Sequence, residues 1–100
     1  MRFENKIAIV TGAGAGLGKA YAKALCKEGA KVVIAEFNEK SGETVAHELK
    51  EEGYEAVFIK TNVADEDNVK ATIEKTIELY GKIDILINNA QATDSSALPK

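Results

Sequence analysis

Residues 6–20, "KIAIVTGAGAGLGKA", decide how the rest of the chain is read. The segment opens on an unbroken apolar run, Ile7 to Val10, which suits a strand covered on both faces better than one with a wet side. It continues through Thr11 into a turn carrying Gly12, Gly14, Gly16 and Gly18, and then into a stretch with helical spacing. A glycine-rich turn between a strand and a helix is a phosphate site in physical terms. The helix start offers unpaired N–H groups and the positive end of its dipole, and glycine lets the backbone come close.

Two nucleotide motifs compete for this turn. A P-loop needs Gly, four residues, then Gly-Lys-Ser/Thr. Gly18-Lys19 fits its end, but the first glycine position is Ala13 and the hydroxyl position is Ala20, so the loop supplies no magnesium ligand. The common dinucleotide pattern G-x-G-x-x-G also fails. Starting at Gly12, Gly14 or Gly16, its last position is Leu17, Lys19 or Tyr21. The pattern that fits is Thr-Gly-x-x-x-Gly-x-Gly, with Thr11, Gly12, Gly16 and Gly18. In that pattern Gly12 permits the tight turn, Gly16 the close approach of a pyrophosphate, and Gly18 the packing of helix on sheet.

Outward from the turn, three more strand-like runs follow at "KVVIAE" (31–36), "EAVFIK" (55–60) and "KIDILIN" (82–88). The first, second and fourth runs predict strands buried on both faces. Helix-length segments separate the four. Leu17 to Glu28 places Ala20, Tyr21, Ala24 and Leu25 on one face and stops at Gly29. Glu39 to Glu52 places Val45, Ala46 and Leu49 together and stops at Gly53. A third begins after Asp65 as N-cap, presents Val69, Ile73, Ile77 and Tyr80, and stops at Gly81. The order β-α-β-α-β-α-β predicts an α/β fold. With right-handed crossovers it is the N-terminal half of a Rossmann-type doubly wound parallel sheet, with strand order 3-2-1-4. Residues 1–90 are expected to form this half-domain, and 91–100, "QATDSSALPK", a polar tail.

Composition narrows the function. One hundred residues suit one small domain, and 13 basic against 16 acidic side chains give a net charge of −3 without a basic block, which argues against a nucleic-acid partner. Cys26 is the only cysteine, which rules out an internal disulfide or a multi-cysteine metal site. No apolar run reaches membrane-spanning length and "MRFENK" lacks a signal core, so a cytoplasmic setting is expected. Glu36 ends the second strand 18 residues after Gly18, near the ~20-residue spacing of an acid that binds the adenosine ribose. A carboxylate there accepts from both ribose hydroxyls and repels a 2′-phosphate. No arginine stands nearby, so NAD is favoured over NADP as cofactor.

"TGAGAGLG", Glu36, "TNVADEDNV" and "GKIDILINNA" together resemble the N-terminal cofactor half of classical short-chain dehydrogenases/reductases, from about Phe3 to Ala90. The resemblance implies hydride transfer between a nicotinamide and an alcohol or carbonyl group. It implies a cofactor site of Gly12, Gly16, Leu17, Gly18, Glu36, Asn62, Val63, Asn89 and Ala90. Asn62 and Val63 line the adenine pocket, and Asn88-Asn89-Ala90 stiffens the middle of the sheet. Two positions depart from the family: Asn62 stands where aspartate is usual, and Gln91 where glycine is.

The family's chemistry uses a serine and a Tyr-x-x-x-Lys pair. Four residues after Tyr21, Tyr54 and Tyr80 stand Leu25, Phe58 and Asp84, so no catalytic residue is assigned. His47 is expected on the surface, Cys26 in packing, and Lys82 and Asp84 as strand-edge charges. Two readings follow. In one, the chain is the N-terminal part of an NAD-dependent short-chain oxidoreductase. In the other it is a self-contained nucleotide-binding module with a binding or regulatory role. The apolar fourth strand is expected to lie at an edge and to promote self-association, whereas a stable, compact monomer would favour the self-contained module.

Overall fold

The computed structural model describes residues 2–14 and 16–89. Within them the chain runs β1 (Ile7–Thr11), α1 (Gly16–Lys27), β2 (Lys31–Glu36), α2 (Glu39–Glu51), β3 (Ala56–Lys60), α3 (Glu66–Tyr80) and β4 (Ile85–Ile87). The strands form one parallel sheet in the order β3-β2-β1-β4, the order expected from the sequence. Ala90 and the expected tail at 91–100 lie outside the described residues.

Alternate residues of the strands feed two cores. On one face Ala8, Val10, Val32 and Ile34 pack with Ala22, Leu25 and Cys26 of α1 and Val45, Ala46 and Leu49 of α2. On the other face Ile9, Val33 and Ala35 pack with Ile73 and Tyr80 of α3. β1 is buried along its whole length, and β2 at its four inner positions. This two-sided burial is what an unbroken apolar run encodes.

The helix ends are written in glycine and in short polar side chains. Gly29 and Gly53 have φ of 95° and 93°. At α1 the Gly29 N–H donates to Cys26 O and the Ala30 N–H to Leu25 O. At α2 the Gly53 N–H donates to Lys50 O and the Tyr54 N–H to Leu49 O. These paired bonds satisfy the last carbonyls and require a left-handed residue. Asp65 caps α3 as expected, accepting from the N–H groups of Asp67 and Asn68.

Three expectations need correction. The buried face of α1 is Gly18, Ala22, Leu25 and Cys26, while Ala20, Tyr21 and Ala24 are exposed. The close approach that Gly18 allows sets the rotation of the helix, and larger apolar residues do not override it. On α3 the buried residues are Thr72 and Thr76, whereas Ile77 is exposed. Thr72 shares a 2.7 Å hydroxyl contact with Thr61, and Thr76 donates to Thr72 O at 2.8 Å, so these threonines pack in with their polar atoms satisfied. The fourth strand spans three residues rather than 82–88, and it is not covered on both faces. Ile85 and Ile87 pack against the larger core, but Leu86 is 57% exposed. Polar side chains bound it, because Asp84 Oδ2 accepts from the Ile7 N–H at 2.9 Å and Asn88 Oδ1 accepts from Thr11 Oγ1 at 3.3 Å.

Candidate functional site: a glycine turn and an anchored carboxylate

In a parallel sheet the strand ends that face the helix starts are the natural crevice for a ligand, and the turn between β1 and α1 sits there. Its geometry follows from its glycines. Gly12 and Gly16 take φ of 63° and 60°, a conformation that costs other residues energy. A Cβ on Gly16 would meet nothing within 4 Å, so the backbone there is open to an approaching group. Gly18 is the opposite case. A Cβ on it would stand 2.1 Å from the Gly12 carbonyl oxygen and 2.8 Å from Asn89 Nδ2. The first turn of α1 carries no acidic residue, so no carboxylate of its own competes with an anion for its N–H groups. Leu17, in that turn, is 66% exposed.

The turn is tied to β4 through Thr11 and Asn89. The Asn89 N–H donates to Thr11 Oγ1 at 2.8 Å, and its side-chain amide reaches the Gly12 carbonyl at 3.4 Å. Thr11 Oγ1 lies 3.3 Å from Ile87 O. Asn89 thus steadies the turn from the end of β4.

Glu36 ends β2 with both carboxylate oxygens engaged. Oε1 accepts from the Gly14 N–H at 2.9 Å, and Oε2 from the Asn38 N–H at 2.9 Å. Asn38 in turn caps α2, its Oδ1 accepting from the Ser41 N–H at 2.9 Å. The acid is therefore fixed between the glycine turn and the start of α2. Lys60 was not singled out by sequence reasoning, although the β2–β3 register sets it opposite Glu36. Only the pairing register reveals that neighbour. Its ammonium lies 3.7 Å from Glu39 and 5.6 Å from the ring centre of Phe37, which is 61% exposed.

Past β3, Asn62 Oδ1 accepts from the Ala64 N–H at 3.0 Å and the Asn62 N–H donates to Asn68 Oδ1. A groove of about 400 Å³ opens between α3 and the sheet. Val63, Val69, Ile73, Ile9, Ala35 and Leu86 give it apolar walls, and Thr11, Thr61 and Asn88 stand at the strand ends. Val63 lines it and Asn62 does not. The strand order brings Gly12, Gly16, Leu17, Gly18, Glu36, Asn62, Val63 and Asn89 to one end of the sheet. Ala90, the last expected member, falls outside the described residues.

The fold, the turn pattern and its order along the chain agree with comparison to known proteins. The family model described as short chain dehydrogenase matches residues 6–99. The chain belongs to the short chain dehydrogenase family. An uncharacterized oxidoreductase of Thermotoga maritima is 48% identical over 87 residues, covering 87% of this chain and 34% of that protein. Among solved structures, a 7α-hydroxysteroid dehydrogenase complexed with NADH and 7-oxo glycochenodeoxycholic acid superposes with a TM-score of 0.88 at 36% identity, over 91% of this chain and 36% of that one. An NAD⁺-bound xylitol dehydrogenase superposes at 0.87 and 34% identity, over 92% and 35% respectively. The chain thus spans about a third of the length of the short chain dehydrogenase relatives it matches.

Other reactive groups are elsewhere. Cys26 is buried, and burial, with Glu52 nearby, pushes its thiol up to about 11. It is a packing residue rather than a nucleophile. His47 is exposed and faces Glu51 at 3.7 Å. Among the described residues no three His, Cys, Asp or Glu side chains gather in a way that could hold a metal ion, and no helix is long and apolar enough to cross a membrane.

Proposed function

We propose that this chain carries the dinucleotide-binding part of an NAD-dependent short-chain oxidoreductase, which moves hydride between a nicotinamide and an alcohol or carbonyl substrate. The observation that carries the reading is the anchored carboxylate. Glu36 stands beside the glycine turn with its two oxygens oriented by backbone N–H groups, and each oxygen keeps a lone pair for a ribose hydroxyl. A 2′-phosphate would meet that negative charge, so NAD is preferred to NADP. Two similar solved structures, a 7α-hydroxysteroid dehydrogenase complexed with NADH and an NAD⁺-bound xylitol dehydrogenase, are in line with this choice.

The residues fit such a cofactor. The open backbone at Gly16 and the acid-free first turn of α1 receive the pyrophosphate. Leu17 covers the approach, Gly12 and Gly18 hold the turn in shape, and Asn89 braces it from the end of β4. Val63 and the groove it lines receive the adenine, with Asn62 at the rim. A bound dinucleotide supplies the hydride acceptor or donor. The chain's own residues bind and orient the adenosine and phosphate end, and no described side chain is placed as acid or base for the substrate. A cytoplasmic setting, which keeps the buried Cys26 thiol reduced, suits the protein. Nothing in the fold or the relatives favours the reading as a self-contained regulatory module.

Calorimetric titration with NAD, ADP-ribose and NADP tests this. NAD and ADP-ribose are expected to bind about equally, since the assigned residues all serve the ADP-ribose portion, and NADP more weakly. Tighter binding of NADP, or a large advantage of NAD over ADP-ribose, would contradict the assignment.

A further inference from the structure

Gly14 belongs to none of the three glycine positions of the turn pattern, and its φ does not lie in the left-handed region. The turn's conformation alone therefore leaves its identity unexplained. Its surroundings explain it. The Gly14 N–H donates to Glu36 Oε1 at 2.9 Å. A Cβ on Gly14 would stand 2.8 Å from that same oxygen, 2.9 Å from Glu36 Cδ and 2.8 Å from Ser41 Cβ. No real Cβ sits that close to another heavy atom, so something would have to shift. The carboxylate is the far end of a flexible side chain, whereas Ser41 Cβ is fixed to the first turn of α2. The carboxylate moves first.

We infer that Gly14 is a positioning residue that sets cofactor choice by seating Glu36: its N–H orients the acid, and its missing side chain leaves the acid room. The inference rests on the reading of Glu36 as the ribose acid, and it adds the element that holds that acid in place. A side chain at position 14 preserves the backbone N–H but displaces the acceptor. The ribose hydroxyls then lose a correctly aimed partner, and a 2′-phosphate loses the charge that opposes it. The consequence is specific. The ratio of NAD to NADP affinity falls while the phosphate-binding turn around Gly12, Gly16 and Gly18 persists.

The test is a double-mutant cycle on the full chain, with NAD and NADP titrated calorimetrically into the unmodified protein, G14A, E36A and G14A/E36A. The NAD:NADP affinity ratio is expected to drop about tenfold in G14A, the scale of a lost hydrogen bond to a charged group. It should drop at least as far in E36A and no further in the double variant, because Gly14 acts through Glu36. An unchanged ratio in G14A alongside a collapsed one in E36A overturns this inference and leaves the ribose-acid reading intact. An unchanged ratio in E36A, or no binding by the unmodified chain, overturns both. A G14A effect that persists at full size in the E36A background marks a purely structural role and also overturns the inference. Should G14A not fold, the unmodified protein still decides the matter by NMR. The Gly14 amide proton must track the protonation of the Glu36 carboxyl as pH is lowered, and an amide indifferent to it refutes the seating.

Discussion

Gly18 shows how one missing methyl group holds a site together. The Gly12 carbonyl that a Cβ would strike at 2.1 Å is backbone of a turn already fixed by β1 and by Asn89, so it cannot swing away as a side-chain tip could. Gly18→Ala is therefore expected to destabilise the chain by about 3 kcal/mol, at the upper end of what overpacking usually costs, and to weaken dinucleotide binding with it. Urea denaturation checks the first effect, and a midpoint equal to that of the unmodified chain would contradict the packing. The glycine pattern at 12, 16 and 18 was legible in the sequence because each member meets a backbone demand that the strand–turn–helix context already imposes. Gly14 and Lys60 were not legible, because their importance lies in neighbours 22 residues away for Gly14 and across the β2–β3 register for Lys60.

At the scale of elements, β4 is held at its start by a side chain. Asp84 accepts from the Ile7 N–H and donates its own N–H to Ile7 O at 2.8 Å, while Lys82 lies 3.1 Å from its carboxylate. The Ile7 hydrogen bond above all holds the Asp84 carboxyl below its ordinary value of 3.8; burial opposes it, and the Lys82 and Lys6 ammonium groups add to the lowering. The unfolded chain then binds a proton more readily than the folded one, so this contribution to stability is present above 3.8 and is lost as pH falls through the lower folded value. Asp84→Asn is expected to lower the melting temperature at neutral pH, with the gap to the unmodified protein closing in acid. A gap independent of pH would contradict it. Two-sided burial marks β1 and β2 plainly in the sequence, and the terminal glycines mark the helix ends. Sequence reasoning misjudged the inward face of α1 at Ala20, Tyr21 and Ala24, and that of α3 at Ile77, while Ile73 and Tyr80 do face the sheet. Apolar size suggested Tyr21 and Ile77, but helix rotation follows close backbone approach at Gly18 and the hydroxyl-satisfied threonines at 72 and 76.

Across the whole molecule, burial is uneven. The face under α1 and α2 has the larger core, while the α3 face keeps an open apolar groove that ends at Leu86. Among the described residues β4 has no neighbour on its outer edge, and Leu86 is 57% exposed. An unpaired strand edge with an apolar side chain invites association with another copy. Sedimentation at micromolar concentration is expected to show self-association of the chain. Leu86→Lys should reduce it at little expense to folding, since Leu86 projects away from the larger core that Ile85 and Ile87 join. A compact monomer before substitution would contradict this.

Amide mapping of an isotope-labelled chain by NMR tests whether the strand ends around the glycine turn form the dinucleotide site. Titration with NAD should shift the amides of Gly12, Gly14, Gly16, Leu17 and Gly18, with those of Glu36, Val63 and Asn89. The groove between α1 and α2, where Lys19 meets Glu48 and Lys23 meets Glu52, should stay unperturbed. Shifts confined to that second groove, or none at all at saturating NAD, would contradict the account.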